Sequence, residues 1–274
     1  MPTVRHTQQM KRISTSLVGS RRALRAGLLG FGLSLFVSAC GTSDGSTSLL
    51  PNGPTGRVRF VNLITDTTRA RVNLTLGPTR WNVNQVYGTV TPATLAAPNT
   101  ALYAAIETGS LSLVLKRTAD TTATVATFPL SIATGQDYTV YATGGTGASA
   151  ITSFITTDSN TVPVSGAARV RVVHLSPTAG PVDVFVTAVG ADLALATPTL
   201  ANVPVRGAAY LSSVAAGTYQ VRVVPAGTAP ALRAANVALN LASVVLPANS
   251  ARTLIAADNN IGGTPLRFVT LVDR

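Results

Sequence analysis

After about residue 55 the chain alternates apolar and polar positions in short runs, which is the pattern of β-strands. In the first run Val58 and Phe60 share one face, and Arg59 lies on the other. Gly, Pro, Asn and Asp separate such runs at intervals of roughly 8 to 15 residues. The alanine-rich stretch 93–105 suggests a helix, but Pro98 argues against one. The pattern predicts an all-β protein.

The first run occurs a second time. Residues 57–63 (RVRFVNL) and 169–175 (RVRVVHL) are identical at five of seven positions. A later block repeats in the same order, because 106–115 matches 214–223 with a shared glycine and the same apolar alternation. The constant strands and variable connections predict two copies of one module.

We therefore predict two tandem antiparallel β-sandwiches, immunoglobulin-like or prealbumin-like, over residues 56–164 and 165–274. Residues 40–55, rich in Gly, Ser, Thr and Pro, are expected to form a flexible tether. Residues 1–39 are expected to be a signal peptide. Strand order and oligomeric state stay open.

Within each predicted first strand the apolar face should be buried, which leaves Arg59 and Arg171 solvated. Asn62 and His174 end the inward face of their strands, where a polar side chain can hold a turn. Asp183, shortly after His174, is expected to be a structural polar residue as well.

A short apolar segment, 26–39, follows the basic residues of 21–25. It ends in Val-Ser-Ala-Cys at 37–40, which resembles the lipobox of bacterial lipoproteins. That resemblance implies cleavage between Ala39 and Cys40 and attachment of a lipid to Cys40. An uncleaved N-terminal anchor is the alternative, although the segment is too short to span a bilayer comfortably.

The start of translation and the type of export signal each have two interpretations. Translation starts at Met1 or at Met10, and residues 20–24 partly resemble a twin-arginine signal. Gly41 follows the lipidation site, and by resemblance to Gram-negative lipoproteins this favours the outer membrane or cell surface. The tether would reach at most about 50 Å from the lipid. The expected location is the bacterial cell envelope.

Charge argues against a nucleic-acid partner. The formal net charge is +11, but six of the 21 basic residues precede Cys40 and no acidic residue does. The 15 basic and 10 acidic side chains that follow leave +5, spread without a basic run. Cys40 is the only cysteine, which excludes a disulfide, a thiolate metal site and a thiol nucleophile from the predicted sandwiches.

Few residues suggest catalysis. His174, Ser176 and Asp183 could form a base, a nucleophile and an orienting group, so a hydrolase centred on His174 is a distant alternative to a structural histidine. No cluster with metal-ligand spacing and no cofactor motif occurs. Asp158 and Asp273 occupy equivalent places at the module ends and are expected to be surface or turn carboxylates.

Residues 169–186, followed by 200–204 and 216–223, resemble the bacterial domain of unknown function 4397. The first copy resembles it less closely, having Asn62 in place of His174. The family is typical of secreted or envelope β-proteins, often in tandem. It offers no catalytic residues to transfer to this sequence.

The stretch Gly77–Thr100 is interpreted as an insertion specific to the first copy. Its Arg80, Trp81 and Tyr87 form a possible binding loop, unless the rings cover the core. The sequence thus predicts a non-enzymatic, lipid-anchored envelope protein with a structural or adhesive role. The alternative is a module that binds envelope polysaccharide or protein through loops.

Overall fold

The computed structural model describes residues 53–93, 103–146 and 150–274. These residues lie within one compact unit, Thr47–Arg274. The predicted all-β fold with two sandwich-like units is confirmed, and the described ranges contain four sheets. No helix in these ranges is long and apolar enough to cross a membrane.

Nine strands build the first sandwich. They are β1 (Thr55–Ile64), β2 (Val72–Leu76), β3 (Thr79–Gln85), β4 (Val90–Thr91), β5 (Ala104–Glu107), β6 (Gly109–Arg117), β7 (Thr124–Ile132), β8 (Asp137–Gly144) and β9 (Ile151–Asp158). One sheet has the order β4-β1-β8-β9, with β5 also pairing with β1, and we call it inner sheet 1. The other, outer sheet 1, has the order β3-β2-β6-β7.

Eight strands build the second sandwich. They are β10 (Ala167–Leu175), β11 (Val182–Thr187), β12 (Leu200–Val203), β13 (Gly207–Ala215), β14 (Gly217–Pro225), β15 (Leu239–Leu246), β16 (Ala251–Ala257) and β17 (Arg267–Val272). Inner sheet 2 has the order β13-β10-β16-β17, and outer sheet 2 has the order β12-β11-β14-β15. Short 3-10 turns at Pro230–Leu232 and Ala234–Asn236 precede β15.

The two sandwiches share one strand order, with β10 in the place of β1 and β16 in the place of β8. Most neighbouring strands are antiparallel, as predicted, but one pair in each sandwich is parallel: β1 with β8 and β10 with β16. The parallel pair places Arg59 beside Thr139 and Arg171 beside Thr253. This register positions the polar site described below.

Each sandwich has its own apolar core, and a third core lies between the inner sheets. Val58 and Phe60 belong to the first core, whereas Val61 and Leu63, on the opposite face of β1, pack with Val173 of β10. The first strand of each sandwich is therefore buried on both faces. We call the contact between the two inner sheets the junction.

The extra residues of the first copy occupy only the C-terminal part of the stretch that we predicted. Strand β3, inside the stretch Gly77–Thr100, pairs with β2 just as β12 pairs with β11, so it is common to both copies. Along the edge of β1, the partner of Phe60 is Thr91 and the partner of Val58 is Ala104. The insertion therefore falls between β4 and β5, where β13 is continuous.

Candidate functional site

Two arginines that we expected in solvent lie at the centre of the junction. Arg59 is 2% exposed and Arg171 is 1% exposed. The expectation is wrong because the arginine face of each first strand packs against the other sandwich instead of facing water. A buried guanidinium requires both hydrogen-bond acceptors and a counter-charge.

Arg59 finds its partners in both sandwiches. Its Nε donates to Thr139 Oγ1 at 2.7 Å, and its Nη1 donates to the carbonyl of Val272 at 3.1 Å. Its Nη2 lies 2.5 Å from Asp273 Oδ1 and 3.4 Å from Asp158 Oδ2. The hydroxyl of Thr253 holds the second oxygen of Asp273 at 2.6 Å.

Asp158 accepts more hydrogen bonds than any other carboxylate of the site. Its donors are Arg59 Nη2, Arg171 Nη1 and the hydroxyls of Tyr103, Thr139 and Thr156. The side chains of Asp158 and Asp273 are only 1% and 8% exposed, which corrects the expectation of surface or turn carboxylates. The two arginines, Arg59 and Arg171, and the two aspartates together carry no net charge.

Electrostatics keep this cluster ionised. Burial by itself would raise the pKa of Asp158, but the charge and hydrogen bond of Arg171, together with Arg59, hold that pKa below its ordinary value. Burial raises the pKa of the Tyr103 phenol, whose ring lies 4.8 Å from the guanidinium of Arg59. Tyr210 stands in the same relation to Arg171, at 5.6 Å. We call these four charges with their tyrosines and threonines the ionic cluster.

Apolar side chains continue the junction beyond the charges. Leu63 and Leu175 line a cavity of about 110 Å³ between the sandwiches, together with Thr178 and Asp258. The Asp258 carboxylate accepts from the hydroxyls of Ser176 and Thr178, and its two oxygens are thereby held. The junction thus combines an ionic centre with an apolar border.

The residues of the possible hydrolase have different partners from one another. His174 Nε2 lies 2.6 Å from the carbonyl of Gly180, and burial lowers the pKa of the imidazole. Ser176 donates to Asp258, not to His174. Asp183 accepts from the backbone N–H of Asn202 at 2.8 Å. Each of the three residues holds a turn or strand end.

Asn62 occupies the position of His174 in the first sandwich. Its Nδ2 donates to the carbonyl of Ala70 at 2.7 Å and to that of Gln85 at 3.1 Å. Its Oδ1 accepts from the backbone N–H of Ile64. The amide therefore ties the end of β1 to the loop that follows and to β3.

The three residues of the possible binding loop are separated. Trp81 is half-buried against the core of the first sandwich. Tyr87 packs in the junction, where its hydroxyl donates to the carbonyl of Asp258 and burial raises its pKa to about 12. Arg80 is exposed on β3. Both rings are thus occupied by contacts within the protein.

A different surface presents apolar side chains to solvent. The loops 188–199 and 226–238 cover outer sheet 2, where Leu193 packs on Phe185, and we call them the cap. Arg233 Nη1 donates to the carbonyls of Leu193 and Ala196 at 3.3 and 2.7 Å. Leu195, held between these two residues, is 87% exposed. No local pattern in the sequence indicates this loop contact.

No group of three or more His, Cys, Asp or Glu side chains that could hold a metal ion occurs in 53–93, 103–146 or 150–274. The predicted cleavage and lipidation residues, Ala39 and Cys40, lie outside the described residues.

The fold and the junction define an all-β protein of two sandwiches joined through a buried ionic cluster. Residues 56–185 match the family described as Domain of unknown function (DUF4397). The match begins within β1 and ends within β11, so it takes in the first sandwich and the start of the second, although the sequence motifs resembled the family more closely in the second copy. No curated protein matches the chain.

Proposed function

We propose that the chain is a lipid-anchored protein of the bacterial cell envelope with a structural or adhesive, non-enzymatic role. The sequence Val-Ser-Ala-Cys at 37–40, behind an apolar segment, supports cleavage after Ala39 and lipidation of Cys40. The tether 40–55 would connect that anchor to β1. The shared strand order and the repeated motif at 57–63 and 169–175 support two tandem copies of the same family domain.

The ionic cluster is the observation that carries the structural role. Arg59 bonds to Asp273, and Arg171 bonds to Asp158, so each sandwich neutralises a buried charge of the other. Separating the sandwiches would leave these charges without their counter-charges, which opposes bending at the junction. Such a joint fixes the distance between the two ends of the folded part, which suits a structural role.

Labelling with a fatty acid in cells tests the anchor. The full-length chain should incorporate the label and sediment with membranes, whereas Cys40→Ala should lose both properties. Ser38→Ala is the matched control, because it keeps a small residue before the cut and should retain the label. Equal labelling of Cys40→Ala and the unaltered chain would contradict the proposal.

A second candidate is a module that binds envelope polysaccharide or protein through loops. It is favoured by the cap, where Arg233 bonds to the loop that carries Leu195 and three apolar side chains face solvent: Leu195 at 87%, Val189 at 57% and Leu232 at 56% exposure. When envelope fractions are passed over the immobilised protein, the unaltered protein should retain a component that the Leu195→Ser variant does not retain. Val245→Ser, at a site 62% exposed on β15, is the control and should keep it. Equal retention by both variants would exclude the cap as the binding surface.

A further inference from the structure

The faces that meet at the junction are chemical equivalents of each other. Each face carries an arginine on its first strand and a threonine beside it on the parallel strand. A tyrosine lies in, or directly before, the antiparallel neighbour on the other side of the first strand, and an aspartate lies at the end of the outermost strand. In the first sandwich these are Arg59, Thr139, Tyr103 and Asp158, and in the second they are Arg171, Thr253, Tyr210 and Asp273.

The charges pair across the junction more closely than within a sandwich. Arg59 Nη2 lies 2.5 Å from Asp273 of the other sandwich but 3.4 Å from Asp158 of its own. Arg171 Nη1 bonds directly to Asp158, while its Nη2 is 3.9 Å from Asp273. Such crossed pairing of equivalent residues is how a two-fold symmetric interface between two protein copies is built.

The apolar border has the same symmetry. Val61 and Leu63 follow Arg59 on β1, and Val173 and Leu175 follow Arg171 on β10, with all four apolar side chains in the one junction core. An interface with a fully buried apolar core resembles those between permanently associated subunits.

The linker touches this interface at its first residue, where the backbone N–H of Ser159 donates to the Tyr210 hydroxyl and Arg169 donates to Ser159. Residues 159–166 connect β9 to β10, and Val162 and Val164 within them are 58% and 64% exposed. The contacts of the ionic cluster come from the strands and their ends, so they form equally well when the second sandwich belongs to another chain.

We propose that the inner-sheet face of each sandwich is a self-recognition surface whose further partner is a second copy of this chain. In the resulting assembly each first sandwich binds the second sandwich of the other chain, with the crossed ion pairs preserved. The exchange needs no lipid anchor. A short linker keeps the two sandwiches of one chain at an effective concentration in the mM range, so exchange requires a comparable density of chains. Chains anchored as proposed above would be confined to a surface layer that favours such densities.

Co-refolding tests the proposal. Two versions of residues 41–274 would carry a specific protease site within 159–166, one with an N-terminal tag and the other with a C-terminal tag. Both would be unfolded in denaturant and refolded together near 1 mM. We expect a mixed dimer that survives purification over both tags, whereas versions refolded separately and mixed when dilute should give none.

Cutting the linker then identifies the surface. In the exchanged dimer, the N-terminal sandwich of one version remains bound to the C-terminal sandwich of the other, so one tag still retrieves the other after cleavage. Size-exclusion chromatography distinguishes the two kinds of dimer, because the cut, exchanged dimer separates into pairs of monomer mass, one of which carries both tags. A dimer that keeps its full mass after cleavage is held through another surface and overturns the proposal. Refolding that yields only monomers at this concentration overturns it as well.

Discussion

Replacing Asp158 by asparagine should destabilise the protein severely, because this carboxylate neutralises the ionic cluster. Asp158 accepts from both arginines and from three hydroxyls at 1% side-chain exposure. Asparagine keeps the shape but removes the charge and replaces one acceptor oxygen with a donor. The cluster then holds two guanidinium groups against the single carboxylate of Asp273.

The magnitude follows from the cost of leaving a buried charge unpaired. Removing one partner of a buried ion pair typically costs about 3–5 kcal/mol. In a folded unit of this size each 1 kcal/mol shifts the melting midpoint by about 2–4 °C, so Asp158→Asn should lower Tm by roughly 6–20 °C. Asp66→Asn is the control, because Asp66 pairs with Arg69 where the two side chains are 18% and 24% exposed, so water can replace part of the lost interaction and the loss should be smaller than for Asp158→Asn.

Chemical unfolding monitored by circular dichroism measures both variants under the same conditions. Acid should reproduce the effect in the unaltered protein. The pKa of Asp158 is lowered in the fold, so its stabilisation is present above the unfolded value of about 3.9 and is lost as the pH falls through the folded pKa. Equal losses of unfolding free energy for Asp158→Asn and Asp66→Asn would refute the reasoning.

Other positions give further predictions. His174→Asn should melt close to the unaltered protein, because the amide of Asn62 bonds a loop carbonyl at the equivalent position of the first sandwich. His174→Ala should lose about 1–3 kcal/mol of unfolding free energy, because it leaves the buried carbonyl of Gly180 unpaired. Equal melting of the two variants would contradict this. Gly262→Ala should destabilise more than Gly263→Ala, because both glycines have positive φ but only a Cβ at Gly262 would collide with the side chain of Thr146. Thermal melts that rank the two variants oppositely would contradict the close approach of Gly262 to Thr146. Burial raises the pKa of Tyr141 to about 12, so its contribution to stability is present below about pH 10 and lost as the pH rises towards 12. Denaturant unfolding of Tyr141→Phe should show a smaller alkaline loss, and an unchanged loss would count against burial as its cause.

Much of the fold follows from local patterns in the sequence. Alternation in the runs at 57–63 and 169–175 places strands β1 and β10, and the repeated blocks predict two similar sandwiches. The family resemblance agrees only in part with the match over residues 56–185, because that match ends before most of the second copy, where the motifs were clearer. These features succeed because strand formation and turn chemistry depend on neighbouring residues.

The ionic cluster could not be derived in the same way. An arginine that alternates with apolar residues usually faces solvent, and the contacts of Arg59 with Thr139 and Asp273 depend on strand register across long chain separations. A signal was nevertheless present, because the run Phe60–Ile64 is too apolar for a strand with one wet face. The equivalence of Asp158 and Asp273 in the two copies was a second signal.

The start of the insertion was misplaced for a geometric reason. β2 joins β3 through a tight turn, whereas a long cap loop separates β11 from β12, so aligned spacings made β3 resemble an insertion. The extra residues of the first copy are located only by the pairing of both β4 and β5 with β1, which places them between these two strands. The exposed Leu195 likewise depends on how Arg233 holds the cap loop, a contact between segments distant in sequence.

Differential scanning calorimetry of residues 53–274 tests most directly the central claim that the two sandwiches form one body through the ionic cluster. We predict a single transition whose van't Hoff enthalpy equals the calorimetric enthalpy, near 0.7 kcal/mol per residue. Two resolved transitions, or a calorimetric enthalpy about twice the van't Hoff value, would mean that the sandwiches unfold independently and would contradict the account.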